Sequence, residues 1–367
     1  MPEARRESEL IMTERDDAKA RGDGRRTKQA YHTALAHRDG VPQKMLLVGE
    51  SERAKVVTEF FDRGIEGSAA HREFATFWGI YHGVRVAVMC TGIGTDNSEI
   101  ASVELHAVHE YDDEKDQWDE EPAKRTIIRV GTSASPQADV PLGSLGITSH
   151  AIGLDNTGLS YLHPGKRTLD DYEDPFGVYY TPDNPLAKAI FDQVRREIWD
   201  ATHGVIRPYV STATPQVVEA LKNSAGQNGM PLDCGVGAYT GITTSAPGFF
   251  GPQGRQIGRL SNVILPDLQD RLARIRIPLP SGGVMRVTDV DEPVRLEDEQ
   301  VVRAVNNEME ASVLNRLNGE ILGHQVGAVC LVIANRNKGE FITEDGYKEG
   351  VRRACQVALD AIVQLAA

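Results

Sequence analysis

The chain has 367 residues, 40% of them hydrophobic and 25% charged, with a formal net charge of −13. This is a soluble composition with enough apolar material for a core, and its acidic balance excludes a general nucleic-acid or anionic-membrane surface, which needs a basic stripe. No apolar run approaches the roughly 20 residues of a membrane helix, and the charged N-terminal stretch lacks the apolar block of a secretory signal.

Residues 1–29 are polar and aperiodic and are expected to form a disordered tail ahead of a single catalytic domain over 30–367. Met45 to Val48 reads as a buried strand running into a turn at Gly49. A helix follows, capped by Ser51, with Ala54, Val57, Phe60 and Phe61 on one face. Val84 to Cys90 is a second buried strand, closed by Gly92 and Gly94. A helix from Ser98 then turns Ile100, Val103 and Ala107 inward. Residues 111–124 read as a solvated acidic insertion. Thr126 to Val130 is a third strand, expected to end in a turn at Gly131. Strand, glycine turn and helix in repetition spell an α/β sheet covered on both faces, in which ligands gather at the carboxyl ends of the strands.

Leu145 to His150 reads as another strand and 154–183 as a long loop. Asn184-Pro185 starts a helix along Leu186, Ile190, Val194 and Ile198, and Thr214-Pro215 starts a shorter one. A strand over 235–245 leads into Phe249-Phe-Gly-Pro-Gln-Gly-Arg255. Beyond it, 274–280 and 284–287 are expected to form a projecting hairpin, and 298–305 a short helix. A second helix should then carry Glu308-Met309-Glu310 and reach about Asn318. Val326 to Ala334 is the last strand, and a helix from about Gly346 closes the chain. Four cysteines, Cys90, Cys234, Cys330 and Cys355, include no C-x-x-C pair, which suits a reducing, cytoplasmic setting.

Chemistry concentrates in a few places. The 249–255 segment puts an aromatic wall, an amide with donor and acceptor, and a guanidinium fork within seven residues. A planar base with carbonyls flanking a ring N–H needs that set; the competing reading is a Phe pair plugging the core beside a solvated Arg. Arg53, Arg72 and Arg129 stand near the glycine-rich strand ends, where backbone N–H groups and guanidinium forks suit an oxyanion; any one of them alone reads as a surface ion pair, and it is the three together that point to an anion. Glu308 and Glu310, if extended, share a side and need partners such as ribose hydroxyls; the competing reading is a pair of solvated acids in the first turn of a helix. His106, His109 and Glu110 look like a wet helix face rather than a metal site. There is no dinucleotide fingerprint, Walker lysine or Gly-x-Ser-x-Gly.

Gly49…Arg53, His71-Arg72-Glu73-Phe74, Thr91-Gly-Ile-Gly94, Arg129-Val-Gly-Thr132, Phe249…Gln253-Gly-Arg255, Glu308-Met-Glu310 and Ile333-Ala-Asn-Arg336 resemble, in order and approximate spacing, the uridine phosphorylases of the nucleoside phosphorylase superfamily. The resemblance runs over roughly residues 31–367. It implies a three-layer αβα sandwich around a mixed, partly barrel-like sheet, with insertions near 111–124, 154–182 and 262–300. It also implies a pentosyltransferase that cleaves uridine, with deoxyuridine as a further candidate, using inorganic phosphate as co-substrate and no organic cofactor.

By the same resemblance Gly49, Arg53, Arg129 and Thr132 cradle phosphate, joined by Arg72 from a second subunit. Glu308, Met309 and Glu310 clamp the ribose, with His32 reaching across the dimer to the 5′-hydroxyl. Phe249, Gln253, Arg255 and Arg336 hold the base; Arg255, Arg336 and Arg129 carry the catalysis. Glu73 resembles a residue of a monovalent-cation site at the dimer interface, no other metal being implied. The assembly implied is a homodimer with shared sites, or a trimer of such dimers. Glu50-Ser51 departs from the family's usual Asp-Pro and Ala134 from its usual glycine, both at positions expected to be peripheral. A purine nucleoside phosphorylase or nucleosidase of the same fold, and a catalytically silent nucleoside-binding protein, are the competing readings.

Overall fold

Alternation decides the architecture. In the computed structural model, which describes residues 12–14, 28–112, 115, 117–255, 257–263, 267–279 and 300–367, successive strand residues feed two different cores. Leu46, Val48, Val86, Val88 and Cys90 join one apolar cluster, and Met45, Leu47, Ala87 and Met89 join another. A sheet whose odd and even side chains are both buried must be covered on both faces.

The elements run as follows. Met12–Glu14 (β1) pairs antiparallel with Lys28–Ala30 (β2), and Met12 is buried; this pairing falls within the stretch expected to be a structureless tail, the rest of which lies outside the described residues. Then come Lys44–Val48 (β3), the helix Ser51–Thr58 (α1), Ile65–His71 (β4), Phe74–Tyr81 (β5), Val84–Cys90 (β6) and the helix Thr95–Glu110 (α2). Tyr111–Asp112 (β7) and Gln117–Trp118 (β8) form a small hairpin, and Trp118 stacks on His106 with ring centroids 5.0 Å apart. Thr126–Ser135 (β9), Leu145–Gly153 (β10), Pro185–Val194 (α3), Tyr209–Thr212 (β11), Pro215–Gln227 (α4) and Ala238–Ser245 (β12) follow. The last part holds Leu268–Ala273 (α5), Arg276–Leu279 (β13), Gln300–Glu308 (β14), Ala311–Leu314 (α6), Gln325–Asn335 (β15), Glu340–Phe341 (β16) and Glu344–Gln364 (α7).

The main sheet has the order β13-β14-β12-β10-β15-β9-β3-β6-β5-β4, and β14 also meets β9 through Asn307 and Ala134. That extra pairing closes β14, β12, β10, β15 and β9 into a ring, from which the remaining strands spread as an open sheet. β3, β6, β9 and β15 pair in parallel, as do β10, β12 and β14, while β10 runs antiparallel to β15. Helices α1, α4 and α7 cover one face, and α2 with α6 covers the other. The sandwich is therefore three-layered, around a mixed and partly closed sheet.

Several expectations are corrected. β9 does not stop at Val130; Gly131 lies inside the strand, held by pairing with β15 as far as Ser135. Residues 300–308 form a strand rather than a helix, because β12, β13 and β9 all bond to them. Arg276–Leu279 pairs with 300–303, whereas 284–287 lies outside the described residues. α2 buries Ala101, Leu105 and Val108, with Ile100 and Val103 only half-buried. Glu50 rather than Ser51 stands at the cap position of α1. The α3 helix continues into a π-helical segment, Arg195–Asp200, which leaves the 13-residue α4 the shorter of the two, as expected. Asn184 does cap α3, its Oδ1 accepting from the Ala187 N–H at 3.0 Å.

Candidate active site

The closed ring and the carboxyl ends of β3 and β9 enclose a cavity of about 250 Å³. Gly49, Arg53, Arg129, Thr132, Phe249, Gln253, Arg255, Glu308, Met309, Glu310 and Arg336 all line it. Residues more than 280 positions apart in the chain thus meet in one space.

Arg129 is the hub of one end. It is buried; its Nε donates to Glu308 Oε2 at 2.9 Å and its Nη2 donates to Glu310 Oε2. Gly131 makes this possible, because a Cβ there would come within 2.8 Å of Cys330 Sγ and 3.1 Å of Arg129 Nη2. Glu308 accepts from the backbone N–H of Glu310 at 2.8 Å and of Ala311 at 2.9 Å, and from the Ser245 hydroxyl. Glu310 Oε1 accepts from the Gly94 N–H at 2.8 Å, at the positive end of α2.

Burial alone would raise both carboxyls. For Glu308 the Arg129 charge and its hydrogen bonds win and hold it below the ordinary carboxylate range. For Glu310 burial wins over Arg129, with the Glu308 charge reinforcing it, and its carboxyl rises to about 7. Burial likewise works against the Arg129 cation, but Glu310 and Glu308 more than compensate and raise it.

Arg53 stands beside this hub, its Nη1 donating to the Val130 carbonyl at 3.2 Å and its Nη2 to Glu50 Oε1 at 2.7 Å. Arg53 Nε and Arg129 Nη1 are buried donors without a partner among the described residues. Unsatisfied buried donors are costly, and an oxyanion in the cavity would supply their acceptor.

The other end is built from the 249–255 segment and the residue after β15. Arg255 stacks over Phe249, with Cζ 3.6 Å from the ring centroid. Phe249 is 46% exposed, so it is a wall of the cavity and not a plug in the core. Gln253 is buried; its Oε1 accepts from Arg336 Nη2, and its carbonyl accepts from Gln269 Nε2 at 2.8 Å. Gln269 in turn accepts from Asn307 at 2.6 Å, tying this end to β14. Burial, then the neighbouring Arg255 charge, lowers Arg336 to about 10, and burial lowers Arg255 in the same direction. Two crowded guanidiniums are poised to be stabilised by an incoming negative charge. Asn335 turns away, donating to the carbonyls of Gln137 and Val140 at 2.9 and 3.0 Å.

Three expected residues are not among those lining the cavity. Arg72 sits at the turn between β4 and β5, exposed, and donates to the Tyr31 hydroxyl at 3.2 Å. Next to it, His71 Nδ1 donates to the His32 carbonyl at 3.0 Å, and His32 Nδ1 donates to Glu104 at 2.7 Å. Glu73 is exposed on the same turn and packs by Gly92. The described residues hold no cluster of three or more His, Cys, Asp or Glu side chains spaced for a metal. Conversely, Glu50, Asn307 and Tyr347 line the cavity, and Ser245 bonds Glu308, without having been singled out from the sequence as ligand-facing. Glu50 was expected to be peripheral; the strand end at Gly49 turns it inward. Tyr347 gives no sequence signal, since only the packing of α7 against β3 and β9 brings it there.

A mixed sheet partly closed into a ring, with a buried arginine pair at one end of its cavity and an amide beside two guanidiniums, one of them stacked on Phe249, at the other, has the architecture of a phosphorylase-type fold. The profile of the Phosphorylase superfamily matches residues 44–365, and the chain belongs to that superfamily. Among its relatives is the uridine phosphorylase of Thermococcus kodakarensis, 28% identical over 92% of this chain and 86% of that one. The solved Trypanosoma brucei nucleoside phosphorylase, described as showing uridine phosphorylase activity, superposes with a TM-score of 0.74 at 28% identity, covering 95% of this chain and all of that one. A uridine phosphorylase of Phytophthora capsici shares the fold, with a TM-score of 0.60 at 21% identity.

Proposed function

We propose that the protein is a pentosyltransferase that cleaves uridine with inorganic phosphate to uracil and ribose 1-phosphate, with deoxyuridine as a second candidate substrate. The observation that carries this reading is the Gln253–Arg336 contact beside the Arg255–Phe249 stack, in the cavity that Arg129 and Glu310 also line. The Gln253 amide oxygen keeps a second lone pair for the ring N–H of uracil, its NH2 can donate to a carbonyl, and Phe249 supplies the flat face.

A phosphate oxygen attacks C1′ as the C1′–N1 bond breaks and its electron pair leaves with the base. The charge spreads over N1 and the two carbonyls of uracil, where Arg255 and Arg336 meet it as it develops. A preorganised donor of this kind contributes on the order of 3–4 kcal/mol to the transition state. The released uracil anion takes a proton from water, so no dedicated acid is needed. Arg53, Arg129, Gly49 and Thr132 orient the phosphate, and Glu308 and Glu310 accept from the ribose hydroxyls.

The purine reading is disfavoured by Asn335, whose amide is committed to two backbone carbonyls and offers no acid at the base edge. The filled set of arginines and carboxylates speaks against a silent binding protein. Arg72, on the exposed β4–β5 turn, and His32, on the turn after β2, do not line their own cavity, which supports a dimer in which each chain completes the other's site; a trimer of such dimers, a monovalent cation near Glu73 and a cytoplasmic setting belong to the same proposal.

The test is product analysis over uridine, deoxyuridine, thymidine and inosine, with and without phosphate. Uracil is expected to form from uridine only when phosphate is present. Equal release without phosphate would indicate a hydrolase, and consumption of inosine in place of uridine would reverse the base assignment.

A further inference from the structure

The phosphate end of the cavity contains a carboxylate that the reaction above does not use. Glu50 lines the cavity, and both of its side-chain bonds to described residues run through one oxygen. Its Oε1 accepts from Arg53 Nη2 at 2.7 Å and from the Tyr347 hydroxyl at 2.8 Å. Tyr347 itself lies 3.5 Å from Arg53 Nη2, so guanidinium, carboxylate and phenol form a closed triangle. Glu50 and Arg53 share the N-terminal turn of α1, at its cap and three residues on, while Tyr347 comes from the first turn of α7 at the far end of the chain. Arg53 is buried while the Glu50 side chain is 46% exposed toward the cavity.

A fixed negative charge in an oxyanion cradle is costly unless the oxyanion gives it something in return. Fully deprotonated tetrahedral anions carry only acceptors, and their oxygens would face the Glu50 carboxylate across an unfavourable contact. Inorganic phosphate near neutrality keeps at least one P–OH. That hydroxyl can donate to the carboxylate, turning a repulsion into a short charge-assisted hydrogen bond. Arg53 and Tyr347 fix Oε1, so the hydrogen-bond direction is set before the anion arrives.

We propose that Glu50 is a specificity-determining residue that selects protonated oxyanions, phosphate and arsenate, against sulfate, with Tyr347 positioning it. The proposal rests on the phosphorolysis reading, because it assigns phosphate to this end of the cavity.

The experiment measures dissociation constants of phosphate, arsenate and sulfate for the free protein by calorimetry at neutral pH, and sulfate inhibition of uridine cleavage in parallel. For the wild type, arsenate is expected to bind within a few-fold of phosphate, and sulfate more weakly by on the order of tenfold or more, as expected when a site built for a donor meets a ligand lacking it. In Glu50→Gln the amide can donate to either anion, and the sulfate-to-phosphate ratio is expected to fall by about tenfold. In Tyr347→Phe the ratio falls part of the way. Sulfate binding as tightly as phosphate in the wild type would overturn the proposal without any variant. So would a ratio unchanged in a folded Glu50→Gln protein. If uridine cleavage proves independent of phosphate, it is the functional reading that fails; phosphorolysis that persists with no sulfate discrimination sinks only the role of Glu50.

Discussion

Glu308 and Glu310 are two residues apart and yet hold their protons differently. Glu308 is locked as an anion by Arg129, Ser245 and two backbone N–H groups, while burial pushes Glu310 up to about 7. A ribose hydroxyl donates best to an ionised carboxylate, so kcat/KM for uridine should rise as pH goes from about 6 to 8 and Glu310 loses its proton. Glu310→Gln should flatten that rise as well as lower the rate, and a pH profile of kcat/KM for both proteins checks it. The stability effects run in opposite senses. Glu310 keeps a proton that the unfolded chain has released, so its contribution is full below the ordinary carboxylate range and is lost as pH climbs to about 7. Glu308 contributes above that range and loses its contribution as pH falls through its lowered value. The pairing of these two residues was legible in the sequence as two carboxylates needing partners. Their conformation was only half legible, since Glu308 ends a strand while Glu310 caps a helix.

At the level of elements, the legible parts were those with a local signal. β3 and β6 announce themselves as apolar runs, and α3 by Asn184-Pro185. The β4–β5 hairpin was missed because Ile65–His71 is mostly exposed and has no apolar run, although Phe74–Tyr81 alternates as a half-buried strand does. β14 was misread because its strand state is imposed by three neighbours rather than by its own residues. The missed hairpin matters, since its turn carries Arg72 at a φ of 54°. A non-glycine residue in the left-handed region costs roughly 1 kcal/mol or more, and such strain is tolerated where the side chain is needed. Arg72→Ala should therefore keep the strain and lose the cation. Arg72→Gly should lose the cation and release the strain, offset in part by the freedom glycine has when unfolded. Both variants are expected to raise the phosphate KM by a similar factor, on the order of tenfold or more for a lost charge-assisted contact. The glycine variant should be the more stable of the two by up to about 1 kcal/mol in denaturant unfolding. Equal phosphate KM in wild type and both variants would remove Arg72 from the site.

Charge counts at the phosphate end argue for the proposed sharing of sites between two chains. At the phosphate end Arg53 and Arg129 face Glu50, Glu308 and Glu310, and both arginines are already engaged by these carboxylates. An anion with about two charges would enter a space with no surplus of positive charge, even with Glu310 protonated. Arg72 would supply that surplus, but it lies exposed on its own chain, bonded to Tyr31 beside His32. A two-fold pair solves this if the turn of one chain reaches the cavity of the other, because an isologous contact delivers the same residue to both sites. This arrangement predicts complementation between impaired parents. Assayed at phosphate well below KM, Arg72→Ala and Arg129→Ala homodimers should each be strongly impaired, every site lacking one arginine. After unfolding and refolding of an equal mixture, about half of the dimers are hybrids, and each hybrid has one site with both arginines and one with neither. If the native site works independently, activity should return to roughly a quarter of the wild-type level per chain. If Arg72 served its own chain's cavity, every site in the hybrid would still lack one arginine, and mixing would restore nothing.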